Sequence, residues 1–159
     1  MSSIRIRFVT SKGIFSSLIR LQAGVSMPFT PSHTEALTQD GKFYIGAQNS
    51  GIRQEPVGYD AKTMLHEKIV ELPCTQEQED AFYAFVHSKI GLPYDWDAIE
   101  GFVAPAFNLH TLFHEICSAF MCWGIRKVNY FPMPLTVPFH HISPRDLFLM
   151  LSSHVEIDH

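Results

Sequence analysis

An Asp-Gly pair, Asp40-Gly41, stands between two short runs of strand-forming residues, Ser32–Leu37 before it and Phe43–Ala47 after it. Asp-Gly readily takes the positive-φ conformations of a tight hairpin turn, so the two runs are expected to pair antiparallel. Around that hairpin the first half of the chain reads as β. Ile4–Val9 alternates apolar and polar residues, as a strand with one buried face does. Asn49-Ser50-Gly51 makes a second turn, Ile52–Gln54 a short strand, and Lys68–Leu72 a further β-rich run closed by Pro73.

At Thr75 the period changes. Thr75 and Gln78 form a capping-box signature, and the helix they open is expected to run to about Ile90, where Gly91 and Pro93 stop it. Its apolar face is Ala81, Phe82, Phe85, Val86 and Ile90. Helical spacing recurs over His114 to about Val128, and Ser143-Pro144 caps a last helix through Leu151. Shorter helices are expected at Ile14–Leu21 and after Trp96 as far as Phe102, with loops at Gly24–Ser32 and in the proline-rich Tyr130–Pro138. Strands followed by helices give an α+β class. With no repeat and no Gly/Ser linker, residues 1–159 read as a single domain.

Composition narrows the function. Hydrophobic residues make up 46% and charged residues 18%, enough for a packed core. Twelve Lys and Arg against sixteen Asp and Glu leave a net charge of −4, which disfavours a general nucleic-acid binder. No run approaches the roughly 20 apolar residues of a transmembrane helix. The opening residues lack the apolar core of a secretory signal, so a cytoplasmic protein is expected. Three cysteines, Cys74, Cys117 and Cys122, are too few for a disulfide framework and read as reduced thiols.

Reactive chemistry concentrates at two places. A thiol is nucleophilic as thiolate, favoured by a helix N-terminus or a nearby imidazole. With a helix beginning at His114, Cys117 lies in its first turn, where free amides would also hold an oxyanion. Cys122 falls mid-helix and reads as an apolar filler, and Cys74 as an inert turn residue. His33 opens a strand, and alternation puts Glu35 on its own face and Thr34 on the other. A carboxylate so placed can orient the ring and stabilise its cation. The bland alternatives are a buried structural thiol and an exposed polar pair. Nucleotide-binding and serine-hydrolase motifs are absent.

In order, the chain carries "IRIRF" at Ile4–Phe8, "SHTE" at Ser32–Glu35, the Asp40-Gly41 turn with Ile45-Gly46-Ala47 and Gly51-Ile52, "IGLPYDW" at Ile90–Trp96, "ICS" at Ile116–Ser118, and "SPRDL" at Ser143–Leu147. This ordered set resembles the permuted papain-like cysteine hydrolases of the NlpC-type superfamily, in its YiiX-like branch, and especially phage and prophage members. The resemblance spans nearly the whole chain. It implies a half-barrel, a small antiparallel sheet packed against several helices, with the histidine preceding the cysteine. By motif position Cys117 would be the nucleophile, His33 the general base and Glu35 the orienter, with Tyr94 near the nucleophile on the substrate side. No cofactor is implied. Substrates in that superfamily include peptides, cell-wall peptide amides, and lipid esters or thioesters.

Two positions depart from the family pattern. Ala119 stands where C-S is usually followed by Glu, and the second hairpin strand offers Ala47-Gln48 where some members have Glu. Gln48 is therefore a second candidate beside Glu35 for the polar partner, or a substrate contact. The departures leave open a non-catalytic binding or assembly module that keeps the fold. A third reading is zinc held by His110, His114 and Cys117, spaced one turn apart if helical.

Overall fold

The computed structural model describes residues 1–12, 29–48, 50–92, 109–131 and 142–153, excepting the side chains of 109–116. The helix expected at Ile14–Leu21, the one expected after Trp96, Tyr94, most of the Gly24–Ser32 loop and most of the proline-rich stretch after Tyr130 lie outside these residues.

Five strands form one antiparallel sheet: β1 (Ser3–Ser11), β2 (His33–Leu37), β3 (Phe43–Gln48), β4 (Gly51–Pro56) and β5 (Met64–Pro73), in the order β4-β3-β2-β1-β5. The Asp40-Gly41 turn joins β2 to β3. Gly41 takes φ 70°, Asp40 Oδ1 accepts from the Lys42 amide and the Thr38 hydroxyl, and Thr38 and Phe43 close the hairpin through their backbones. Three helices follow among the described residues: α1 (Gln76–Ser88), α2 (Leu109–Lys127) and α3 (Pro144–Ser152). The class is α+β. Thr75 and Ser143 each complete a capping box, which satisfies the N-cap and N3 amides at these two helix starts.

One sheet face carries Ile4, Ile6, Phe8, Ala36, Ile45, Ala47, Val70 and Leu72, all buried. Against it lie Phe82, Tyr83 and Val86 of α1, Phe120, Met121, Cys122 and Ile125 of α2, and Leu147, Phe148 and Leu151 of α3. The α1–α2 contact is close at Gly124, where an added Cβ would come within 2.7 Å of the Phe82 ring. No described helix is long and apolar enough to cross a membrane.

The opposite face departs from the sequence expectation. Alternation in β1 predicts one buried face, but Arg7 and Val9 are as buried as Ile6 and Phe8. For Arg7, topology supplies the reason. β4 and β5 are opposite edges of the sheet, so residues 57–63 must cross from one to the other. The crossing opens with Val57 bonded to Lys42 and a turn at Gly58, φ 86°, and ends where Thr63 accepts from the Lys12 amide. On the way it lays Tyr59 edge-on to Tyr44 and Asp60 against Arg7.

A second difference concerns α2. It begins at Leu109, five residues before the expected start at His114. Leu109, Leu112 and Phe113 continue the helical spacing upstream of that position.

Candidate active site

The covered face of the sheet holds a buried polar network. Register places Glu35 of β2 directly opposite Arg7 of β1, and His33 opposite Val9. Arg7 donates from Nη1 to Glu35 Oε2 at 2.9 Å, from Nη2 to Asp60 Oδ1 at 2.9 Å, and from Nε to Glu67 Oε2 at 2.8 Å. Its guanidinium carbon lies 4.0 Å from the centre of the Tyr44 ring. A planar fork with five donors suits three carboxylates at once, which an ammonium would not. Burial alone would weaken its charge, but the hydrogen bonds it donates to Asp60, Glu67 and Glu35 raise its pKa above the ordinary value.

Glu35 is fully buried and accepts three bonds. Oε2 takes Arg7, while Oε1 takes the Tyr59 hydroxyl at 2.8 Å and lies 3.2 Å from His33 Nε2. Desolvation would raise its pKa, but the charge and hydrogen bond of His33, followed by the bonds from Tyr59 and Arg7, bring it down to about 2. The carboxylate is therefore ionised at neutral pH. Gly46 of β3 makes room for it: a Cβ there would sit 2.7 Å from Glu35 Cγ.

His33 links this network to the thiol. Its ring is hydrogen-bonded to both Glu35 and Cys117. With Nε2 engaged by Glu35, Nδ1 is the ring nitrogen left for the sulfur. Burial works to lower the histidine's pKa, yet the negative charges of Cys117 and Glu35 raise it well above 6.5. The ring is 24% exposed, whereas Cys117 is 1% exposed, so the imidazole is the member of the pair nearer solvent.

Cys117, His33 and Glu35 are thus brought together. Cys117 does not, however, sit at a helix tip. With α2 starting at Leu109 it is the ninth residue, and only the first four amides of a helix are free. The expected oxyanion donors and helix-terminus field are therefore absent at this thiol. What the thiol has instead is the imidazole. Beside it, the Ser118 hydroxyl donates to the Ile142 carbonyl and ties α2 to the approach to α3.

Gln48 lies one step further out, its amide donating to Tyr59 Oη at 3.4 Å. Tyr94 lies outside the described residues. Cys122 is wholly buried, and burial with the neighbouring Cys117 charge pushes its pKa up to about 12. Cys74 is also raised, by burial and by Glu79. His110 and His114 do fall within α2, at i and i+4 with Cys117 at i+7, but their side chains are not described. Among the described residues no group of three or more His, Cys, Asp or Glu is arranged so that it could hold a metal ion.

Sequence reasoning missed Arg7, Tyr59, Asp60, Glu67 and Gly46. Arg7 looks like Arg5 in an alternating strand, and Tyr59 and Asp60 sit in a polar segment without periodicity. The one available signal was register, since pairing β1 with β2 puts an arginine opposite Glu35.

The chain matches no family model, no curated protein and no solved structure.

Proposed function

We propose that the chain is a cysteine hydrolase acting by acyl transfer on an amide or ester bond, with Cys117 as nucleophile, His33 as general base and Glu35 as orienter. The observation carrying this reading is a single imidazole held between a thiol and a buried carboxylate. His33 takes the Cys117 proton, and the thiolate attacks the substrate carbonyl. The imidazolium returns that proton to the leaving amine or alcohol. Water, deprotonated by His33, then cleaves the thioester and releases the acid and the thiol. The proton affinity of His33 supports the first step, because the protonated ring is stabilised beside negative sulfur. A buried anion on Nε2 favours the tautomer that leaves Nδ1 free to accept.

The permuted papain-like architecture belongs to the same proposal. Its support is the order of the ordered motifs, histidine before cysteine, and a sheet histidine meeting a helix cysteine. Peptides, cell-wall peptide amides and lipid acyl groups are the substrate classes that follow from it, with Tyr94 placed on the substrate side.

A second reading, a non-catalytic module in which the network is structural, is favoured by two observations: the burial of Cys117 and its place inside α2. Alkylation separates the two. Iodoacetamide at pH 7, with modified positions mapped by mass spectrometry, should label Cys117 ahead of Cys74 and Cys122. His33→Ala should slow that labelling by about 100-fold, the scale of a lost general base. Cys117 labelling slower than Cys74 and indifferent to His33 would select the structural module. Hydrolysis of amide, ester and peptidoglycan-fragment panels by wild type, with Cys117→Ala as blank, then identifies the bond.

A further inference from the structure

Glu35 has two carboxylate oxygens and three donors, and the donors differ in permanence. Arg7 is a fixed cation on the adjacent strand and holds Oε2. Oε1 is shared by His33 and Tyr59. In the proposed cycle His33 gains and loses a charge twice per turnover, so its bond to Oε1 strengthens and weakens. Tyr59 does not change. Its ionisation is pushed above the ordinary tyrosine value, chiefly by burial and then by the Glu35 charge, so its hydroxyl remains a donor across the working range.

The ring of Tyr59 contributes little by packing. The residue is 39% exposed and touches Tyr44 edge-on, with centroids 6.5 Å apart. Its hydroxyl points the other way, into a carboxylate that solvent does not reach. The Gln48 amide donates to Tyr59 Oη from outside, which leaves the phenolic hydrogen for Glu35. The segment bearing Tyr59 is latched beside it by Asp60 on Arg7.

We infer that Tyr59 is a positioning residue of the Cys117–His33 site, acting through Glu35: its hydroxyl fixes the carboxylate oxygen to which His33 Nε2 is bonded. This rests on the hydrolase reading for its kinetic consequence, while the Tyr59–Glu35 bond itself is measurable without any turnover. Among the described residues, Arg7 on β1, His33 on β2 and Tyr59 on the crossing segment bond Glu35 directly, Tyr44 on β3 feels its charge, Asp60 and Glu67 reach it through Arg7, and Cys117 on α2 reaches it through His33.

Tyr59→Phe tests it, because phenylalanine keeps the ring against Tyr44 and deletes the hydroxyl alone. Two quantities are measured in the full chain: the Glu35 carboxyl titration by carbon-13 NMR, and the Cys117 alkylation rate per folded molecule from pH 3 to 8. Loss of a donor to an anion raises the carboxyl pKa, so Glu35 should titrate at higher pH than in wild type. The Cys117 rate at pH 7 should fall about tenfold, and its acid limb should move upward with the carboxyl. Three results would overturn the assignment: an unmoved Glu35 titration, a moved titration with an unchanged Cys117 rate, or a rate loss that follows only the folded fraction. Failure of the hydrolase reading shows elsewhere, as a wild-type Cys117 rate that His33→Ala leaves unchanged.

Discussion

Replacing Glu35 with glutamine changes one oxygen to an amide nitrogen and removes a charge without altering shape. The site cannot absorb that exchange. All three partners donate to Glu35, so an amide NH2 facing Arg7 meets only donors, and one facing the other end meets the His33 N–H even where the Tyr59 hydroxyl turns to accept. The cost at neutral pH can be sized from the carboxyl's own titration. Its pKa falls from 4.5 to about 2 on folding, which at about 1.4 kcal/mol per tenfold is about 3 kcal/mol of stability. That agrees with the ~3–5 kcal/mol of breaking a buried ion pair from one side. The sign follows from the depressed value. The contribution is fully present above pH 4.5, declines as pH falls, and is nearly gone at pH 2. Urea unfolding of wild type and Glu35→Gln at pH 7, 5, 3.5 and 2 should give a gap of about 3 kcal/mol at pH 7 that narrows through the acid range. An equal gap at pH 7 and pH 2 would show that the loss is one of packing and refute the electrostatic account.

Gly46→Ala should lower the melting temperature by about 5 °C, since the new Cβ meets a Glu35 side chain held at both oxygens; an unchanged value in differential scanning calorimetry would mean that Glu35 can move. Cys117→Ala should keep the fold, at a cost of about 1 kcal/mol, abolish hydrolysis, and lower the His33 pKa, because the negative sulfur that raises it is gone. An unshifted His33 titration by NMR would contradict the contact. His33→Ala should cost most stability below pH 6.5 and progressively less as pH rises through the elevated folded value, read from urea midpoints at pH 6 and pH 10. A penalty growing with pH would reverse the assigned charge state.

How much of this was legible depends on which physical signal each part carries. The hairpin, the capping box at Thr75, the N-cap at Ser143 and the pairing of His33 with Glu35 on one face all follow from local rules of turn, cap and alternation, and the structure has each of them. The burial of Arg7 and Glu35 on the second sheet face has no local signal. It arises because β4 and β5 are opposite edges and residues 57–63 must cross between them. A crossing segment has no period, and its polar composition reads as solvent-exposed until the strand order is known. Arg7 and Tyr59 were therefore invisible as site residues, though both hold Glu35 directly.

The start of α2 changes the chemistry more than the fold. A helix from His114 would give Cys117 free amides and a helix-end field, whereas a helix from Leu109 gives it neither. In the proposed hydrolase, stabilisation of charge at the sulfur then falls to His33, whose charge is supported by Cys117 and next by Glu35, and Glu35 in turn is held ionised by His33 first and by Tyr59 and Arg7 after it. A site built this way concentrates its sensitivity on the sheet. Substitutions at Glu35, Gly46 and Tyr59 should therefore reach the thiol although none of these residues is on its helix. A site driven by the helix terminus would leave those three positions silent and respond instead to changes around 113–116.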